Sequence, residues 1–214
     1  MKQNHYNVRV QGDLACFALP YGPERTSSLI PSHDAAVNIL KSVYGTREVT
    51  YEIEEIRLLT APTRISMTLN EVYKQTINPW RVPSGVSAQN NRTQRTTTFL
   101  KDPDYIIKAR PVLSGQGTHD TNNAKIHEIF KRKLLKGKHH KQPYLGMREC
   151  TAYLELVEDV PDAVDLNVDL GIHYYGFDFE SRIPYFTPLC IEHGIVKYPT
   201  WDEVKVSGMR GIAR

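Results

Sequence analysis

Two segments of helical period, each set between segments of period two, constrain the fold of this 214-residue chain more than its composition does. The first, "SHDAAVNILKSVYG" at 32–45, repeats Ala36, Val37, Leu40 and Val43 at helical spacing. Ser32 is placed to cap its start and Gly45 to stop it. The second is the head of "AKIHEIFKRKLLKGKHHK" at 124–141. It aligns Ile126, Ile129, Phe130 and Leu134 in one stripe behind a cap at Thr121 or Asn122. Lys125, His127, Lys131 and Arg132 are left for its flanks and outer face. Around the helices, "YNVRVQG" (6–12), "EVTYEIEEIRLLT" (48–60) and "TAYLELV" (151–157) alternate as strands do, and "ACF" continues the first of them past a bulge. The second slips at Glu54–Glu55, which predicts a bulge there. "TQRTTTFL" (93–100) and "YIIKAR" (105–110), joined by "KDPD", predict a hairpin.

In order these elements read β-α-β-β-α-β. That pattern predicts an α+β, ferredoxin-like (RNA-recognition-motif-like) domain over 1–157. Residues at about 61–91, rich in Thr, Asn, Gln and Pro and without a sustained period, form an inserted arm, read as a long hairpin or a mobile excursion from the core. Residues 158–214 form a C-terminal β-rich extension with a turn at His193-Gly194.

The formal charge of +3 hides a segregation. The stretch 124–141 holds seven Lys/Arg against one Glu, a local +6, which leaves −3 for the other 196 residues. A second acid-free region, 81–99, adds Arg81, Arg92 and Arg95, whereas 155–170 holds six acids and no Lys or Arg. A positive face of this kind suits a phosphate-bearing partner rather than a membrane, and no run reaches the roughly 20 apolar residues of a membrane span. The N-terminal stretch has no apolar signal region. Three distant cysteines, Cys16, Cys150 and Cys190, fit a reducing cytoplasm.

No Walker loop, dinucleotide fingerprint, G-x-S-x-G elbow or H-E-x-x-H helix is present, and no cofactor is expected. The adjacent His139 and His140 are poorly spaced to share one metal ion. The aromatic signature that stacks bases on an RNA-recognition sheet is also missing. What remains open is metal-free cleavage of RNA, which carries its own nucleophile in the 2′-hydroxyl. A Tyr or His, a Lys and a basic cradle are sufficient for it.

Several stretches resemble the CRISPR-associated Cas five family of subtype I-C, the Dvulg type. They are "VRVQGDLACFALPYGPERTSSLIPSHDAAVNILKSVYG", "NRTQRTTTFLKDPDYIIKA", "IFKRKLLKGKHHKQPYLGMREC", and "YYGFDFE" followed by "YFTPLCIEHGIV". The resemblance covers most of the chain apart from the arm, and it implies a metal-independent endoribonuclease. Such a protein cleaves precursor CRISPR RNA within each repeat, leaves a 2′,3′-cyclic phosphate, and stays on the 5′ handle of the guide as a Cascade subunit beside the backbone and large subunits. The implied catalytic set is a Tyr at the end of the first helix and a Lys-His pair at the start of the second. Tyr44 and Lys125 match. The His position holds Ile126, and a histidine follows one residue later as His127. Lys131, Arg132, Lys136, Lys138, His139, His140 and Arg148 are the expected phosphate contacts, with Arg25, Arg92 and Arg95 behind them. A nuclease-inactive handle binder and a basic RNA-binding protein without repeat preference are the other two readings.

Overall fold

The computed structural model describes residues 5–18, 25–72, 92–114 and 122–211. Its architecture is mixed α/β, with mostly antiparallel sheets and few helices. β1 (Tyr6–Gln11) buries Val8 and Val10, so strand alternation turns Asn7, Arg9 and Gln11 to the opposite face. β2 (Leu14–Ala15) and β3 (Arg25–Thr26) are two-residue strands. α1 (His33–Val43) begins where the Ser32 hydroxyl accepts the Ala35 N–H at 3.2 Å. It ends at Tyr44. A β-carbon on Gly45 would lie 2.4 Å from the Lys41 carbonyl oxygen, so glycine alone lets the chain leave so close to the last turn.

Next come β4 (Val49–Leu58), β5 (Thr63–Val72), β6 (Arg92–Lys101), β7 (Asp104–Leu113) and α2 (Asn123–Leu135). They are followed by β8 (Tyr153–Val157), β9 (Val168–Asp178), β10 (Ile183–Ile191), β11 (Ile195–Lys197), α3 (Trp201–Ser207) and β12 (Met209–Arg210). The main sheet runs β11-β4-β7-β1-β8 and is antiparallel throughout. Its β4/β7 register shifts between Ile53 and Glu55, at the expected bulge. One face of this sheet carries Val8, Val10, Ile56, Ile107 and Ala109 into the core beneath α1 and α2. Burying such side chains contributes roughly 1.5–3 kcal/mol for each large apolar group.

Two expected pairings are not formed. Residues 93–100 and 105–110 lie in β6 and β7, which meet at a tight turn with Asp102 at φ 46° but do not pair. Both edges of β7 are already taken by β1 and β4, so β6 pairs instead with β5, residue for residue from Thr63↔Lys101 to Val72↔Arg92. Likewise "ACF" does not extend β1. Leu14 and Ala15 pair with Lys101 and Leu100 of β6. β5 is thus the described leg of the expected arm, and 73–91 lie outside the described residues.

The C-terminal segment is more closely joined to the core than an appendage would be. β9, β10 and β12 form a small sheet, while β11 returns to the edge of the main sheet against β4. His33 at the start of α1 stacks on Tyr175 of β9 at 4.4 Å between ring centroids, with Trp201 edge-on to both rings. α3 is an addition to the β-rich expectation. Its Thr200–Glu203 capping box starts the helix. Among the described residues no helix is long and apolar enough to cross a membrane.

Candidate nucleic-acid interface

The stripe expected on α2 is the one that packs. Ile126, Phe130 and Leu134 are buried, and the Phe130 ring meets Tyr6 of β1 at 5.5 Å and Tyr51 of β4 at 5.1 Å. Asn122 is the cap, its side chain accepting the Lys125 N–H at 2.9 Å. The helix ends in a Schellman turn, in which Lys138 N–H reaches the Lys133 carbonyl at 2.9 Å and Gly137 N–H reaches Leu134 at 3.0 Å. Gly137 takes φ 58° there, a left-handed conformation that glycine adopts without the penalty of a β-carbon. With the stripe fixed inward, Lys125, Lys131, Arg132, Lys136 and Lys138 are exposed, as are His139, His140 and Arg148 on the following loop. None of these five Lys/Arg, nor Arg148, has an acidic partner within ion-pair distance among the described residues.

His127 lies on the inner flank of α2. Its ring is 5.6 Å from that of Tyr6, whose hydroxyl donates to the His127 carbonyl at 3.4 Å. Its Nδ1 is buried without a hydrogen-bond partner among the described residues. Desolvation, then the positive charge of Arg110 and the nearness of His5, hold this imidazole below the usual histidine range. Ile126, one residue earlier, is fully buried.

Tyr44 caps the other helix. Its carbonyl accepts the Tyr51 hydroxyl at 2.7 Å, and its ring lies beneath the Lys133 ammonium, 5.1 Å from the centroid. Lys133 in turn donates to the Val43 carbonyl at 3.1 Å. Lys133 stands eight residues beyond Lys125, or about 12 Å along the helix axis. Among the described residues no hydrogen bond or ring contact joins Tyr44 to Lys125 or His127. The three candidate catalytic groups therefore share the α1/α2 side of the molecule without forming one cluster.

The weaker phosphate candidates lie elsewhere. Arg25 on β3 is ion-paired with Glu71 of β5, and Arg95 of β6 approaches the same carboxylate at 4.0 Å. Arg92 is exposed at the start of β6, on this second sheet. Sequence reasoning singled out neither Lys133, which pins the end of α1, nor Lys41, Arg47 and Lys141 nearby. Lys133 and Lys141 lay within the basic run, but Lys41 and Arg47 follow no pattern short of the folded structure.

A basic helix laid over an antiparallel sheet, its cations without acidic partners among the described residues, fits the class of nucleic-acid-binding proteins. The family model "Cas_Cas5d: CRISPR-associated protein (Cas_Cas5)" matches residues 6–185, and the chain belongs to this family. It is 30% identical over 223 residues to the CRISPR pre-crRNA endoribonuclease Cas5d of Mannheimia succiniciproducens, covering 94% of this chain and 99% of that protein. It is 36% identical over 167 residues to the protein of the same name from Thermus thermophilus, covering 77% and 69%. A crystal structure of a CRISPR-associated protein shares the fold with a TM-score of 0.75 at 21% identity, covering 98% of this chain and 97% of that one. A functionally uncharacterized protein from Streptococcus mutans does so at 0.72 and 20%, covering 98% of each.

Proposed function

We propose that the chain is an endoribonuclease that cuts precursor CRISPR RNA within its repeats, without a metal, by attack of the 2′-hydroxyl. It then stays on the 5′ handle of the guide, in the cytoplasm, as a Cascade subunit beside the backbone and large subunits. The observation that carries this reading is the near end-to-end match to a curated relative named for the reaction. The unpaired cations of α2 and its loop support it, because a polyanion needs charge that no carboxylate has already neutralised.

RNA supplies its own nucleophile. The protein has to align the strand, take the 2′ proton, stabilise charge on the phosphate and return a proton to the 5′ oxygen. Lys125, at the exposed N-terminal turn of α2, is the charge stabiliser. Burial, with Arg110 and His5 nearby, holds the His127 imidazole below the usual histidine range, so its protonated form gives up a proton readily. That suits His127 as the acid for the leaving oxygen, with Tyr44 as the base or proton carrier. Lys131, Arg132, Lys136, Lys138, His139, His140 and Arg148 hold phosphates, and Arg25, Arg92 and Arg95 form a second group toward the arm.

The domain reading rests on strand order. With α1 and α2 on one face, β4-β7-β1-β8 follow one another as a ferredoxin-like β-α-β-β-α-β unit would place them, which supports a domain over 1–157 with 158–214 as its extension.

A second reading, a nuclease-inactive handle binder, is favoured by the buried Ile126 at the family's His position and by the separation of Tyr44 from Lys125. Single-turnover cleavage of repeat RNA decides between the two. The first reading expects cutting by the native chain and a loss of roughly 10²- to 10⁴-fold in His127→Ala, with handle binding kept. An inert native chain that gains cleavage in Ile126→His would establish the second.

A further inference from the structure

The last carbonyls of a helix make its C-terminal end negative and unfriendly to an anion. At the end of α1 most of these carbonyls have donors, the Leu40 carbonyl among them, which accepts the Tyr44 N–H at 3.3 Å. The N–H groups of His140 and Lys141 both donate to the Ser42 carbonyl, at 2.7 and 3.0 Å, Lys133 donates to Val43, and the Tyr51 hydroxyl donates to Tyr44. Beside this capped end a groove of about 460 Å³ runs between α1 and the loop at 140–144. Lys41, Arg47, His140, Lys141, Gln142 and Tyr144 edge it, and no Asp or Glu lines it. Lys41, Arg47 and Lys141 have no ion-pair partner among the described residues. Tyr144, at the rim, is 40% exposed.

We propose that this groove holds one unpaired nucleotide of the bound RNA. Its flanking phosphates lie on Lys41, Arg47 and Lys141, its base stacks on Tyr144, and the Gln142 amide faces the base edge. The inference rests on the RNA-processing reading and adds to it a site for single-stranded RNA. The volume falls within the roughly 300–1,000 Å³ of small-ligand sites, which fits a nucleotide and is too small for a duplex. An aromatic face, an amide and unpaired cations are the set by which proteins hold splayed-out bases of single-stranded RNA. The donors on these carbonyls weaken the repulsion that the end of α1 would exert on an anion.

The test compares two labelled RNAs by fluorescence anisotropy, a repeat hairpin with its single-stranded flanks and the blunt stem alone. Tyr144→Leu should weaken binding of the flanked RNA by roughly 5- to 150-fold and leave stem binding unchanged, because a stacked base contributes on that scale. Tyr144→Phe keeps the ring and should bind like the native chain. The Lys41→Ala/Arg47→Ala/Lys141→Ala triple should lower the salt slope for the flanked RNA by about 1.4, at roughly 0.7 for each of the two phosphates that flank the nucleotide. If the native chain binds and cleaves but the variants match it, or weaken equally on both RNAs, the groove is not the site and the RNA-processing reading stands. A native chain that binds neither RNA overturns both.

Discussion

The outer face of the main sheet and the outer face of α2 are built from the same residue types and differ in what their cations are free to do. On the sheet, Arg9 makes a two-pronged contact to Asp104, at 3.0 and 2.8 Å, and reaches Glu155 at 3.1 Å. Arg57 bonds Glu55 at 2.8 Å, Lys108 bonds Glu54 at 2.8 Å, and Arg110 bonds Glu52. In these ion pairs four cations meet five acids, so the paired groups sum to −1. The α2 stretch at 124–141 keeps its full +6, with Glu128 as its one acid. Charge density along a chain therefore says little about attraction for a polyanion. What counts is whether the folded chain has already paired the charge, and here the sheet has and the helix has not.

The largest effect that can sharpen this contrast is on rate. Tyr44→Phe should lower single-turnover cleavage of repeat RNA by roughly 10²- to 10⁴-fold, whereas Lys108→Gln on the sheet face should leave it nearly unchanged. An equal drop in both would mean that the sheet face also carries the reaction.

Stability separates the two sides of α2 itself. Ile126→Ala should cost about 2–5 kcal/mol in denaturant unfolding, because the site is fully buried and leaves a cavity. Lys131→Ala, on the exposed side, should stay within about 0.5 kcal/mol of the native chain. A severe destabilisation in Lys131→Ala would show that this face is packed rather than free.

Salt dependence reads the pairing directly. Replacing Lys131, Arg132 and Lys136 with Ala should flatten the plot of log affinity against log salt by about 2, at roughly 0.7 per phosphate. Replacing Arg9, Lys108 and Arg110 with Gln should leave that slope alone. A reversed result would move the RNA to the sheet.

The smallest expected effect concerns histidines that the fold keeps neutral. Desolvation holds His173 below the usual range. It is buried, with Nε2 2.7 Å from the Ser28 hydroxyl, and His127 is lowered in the same direction. A native pKa below the unfolded value of about 6.5 means that the unfolded chain binds more protons. Stability from these groups is therefore present above that pH and is lost as pH falls through their native values. Stability against unfolding should decline from pH 7 to pH 5, and less steeply in His173→Gln. A flat profile in the native chain would show that neither histidine is held neutral.

Much of this fold is legible in the chain because its signals are local. The caps at Ser32 and Asn122, the stop at Gly45, the stripe of α2 and the bulge in β4 all follow from spacing within one element. The failures come from competition between elements. Nothing within 93–110 tells that β7 will have both edges occupied, which turns a plausible hairpin into strands of two different sheets. The capping box of α3, Thr200 with Glu203, was a local signal within reach of the same reasoning. For the site, the basic run was visible, but pairing was not. Arg25 and Arg95 meet Glu71 only after β3, β5 and β6 assemble, and the groove of Lys41, Arg47 and Lys141 exists only once the loop after α2 folds back on α1. The shift from Ile126 to His127 was visible, and only the packed helix reveals that one points into the core and the other lies against Tyr6.

The central claim is that this chain cuts repeat RNA with the RNA's own 2′-hydroxyl. The most direct measurement is incubation of the purified protein with labelled repeat RNA in excess EDTA, followed by analysis of the product ends. A cut at one position, a 2′,3′-cyclic phosphate on the upstream fragment, and loss of cutting when the residue before the cut is 2′-deoxy are the predicted results. Cleavage of the deoxy substrate at the same bond, strict dependence on a divalent cation, or tight binding without any cut would contradict the claim.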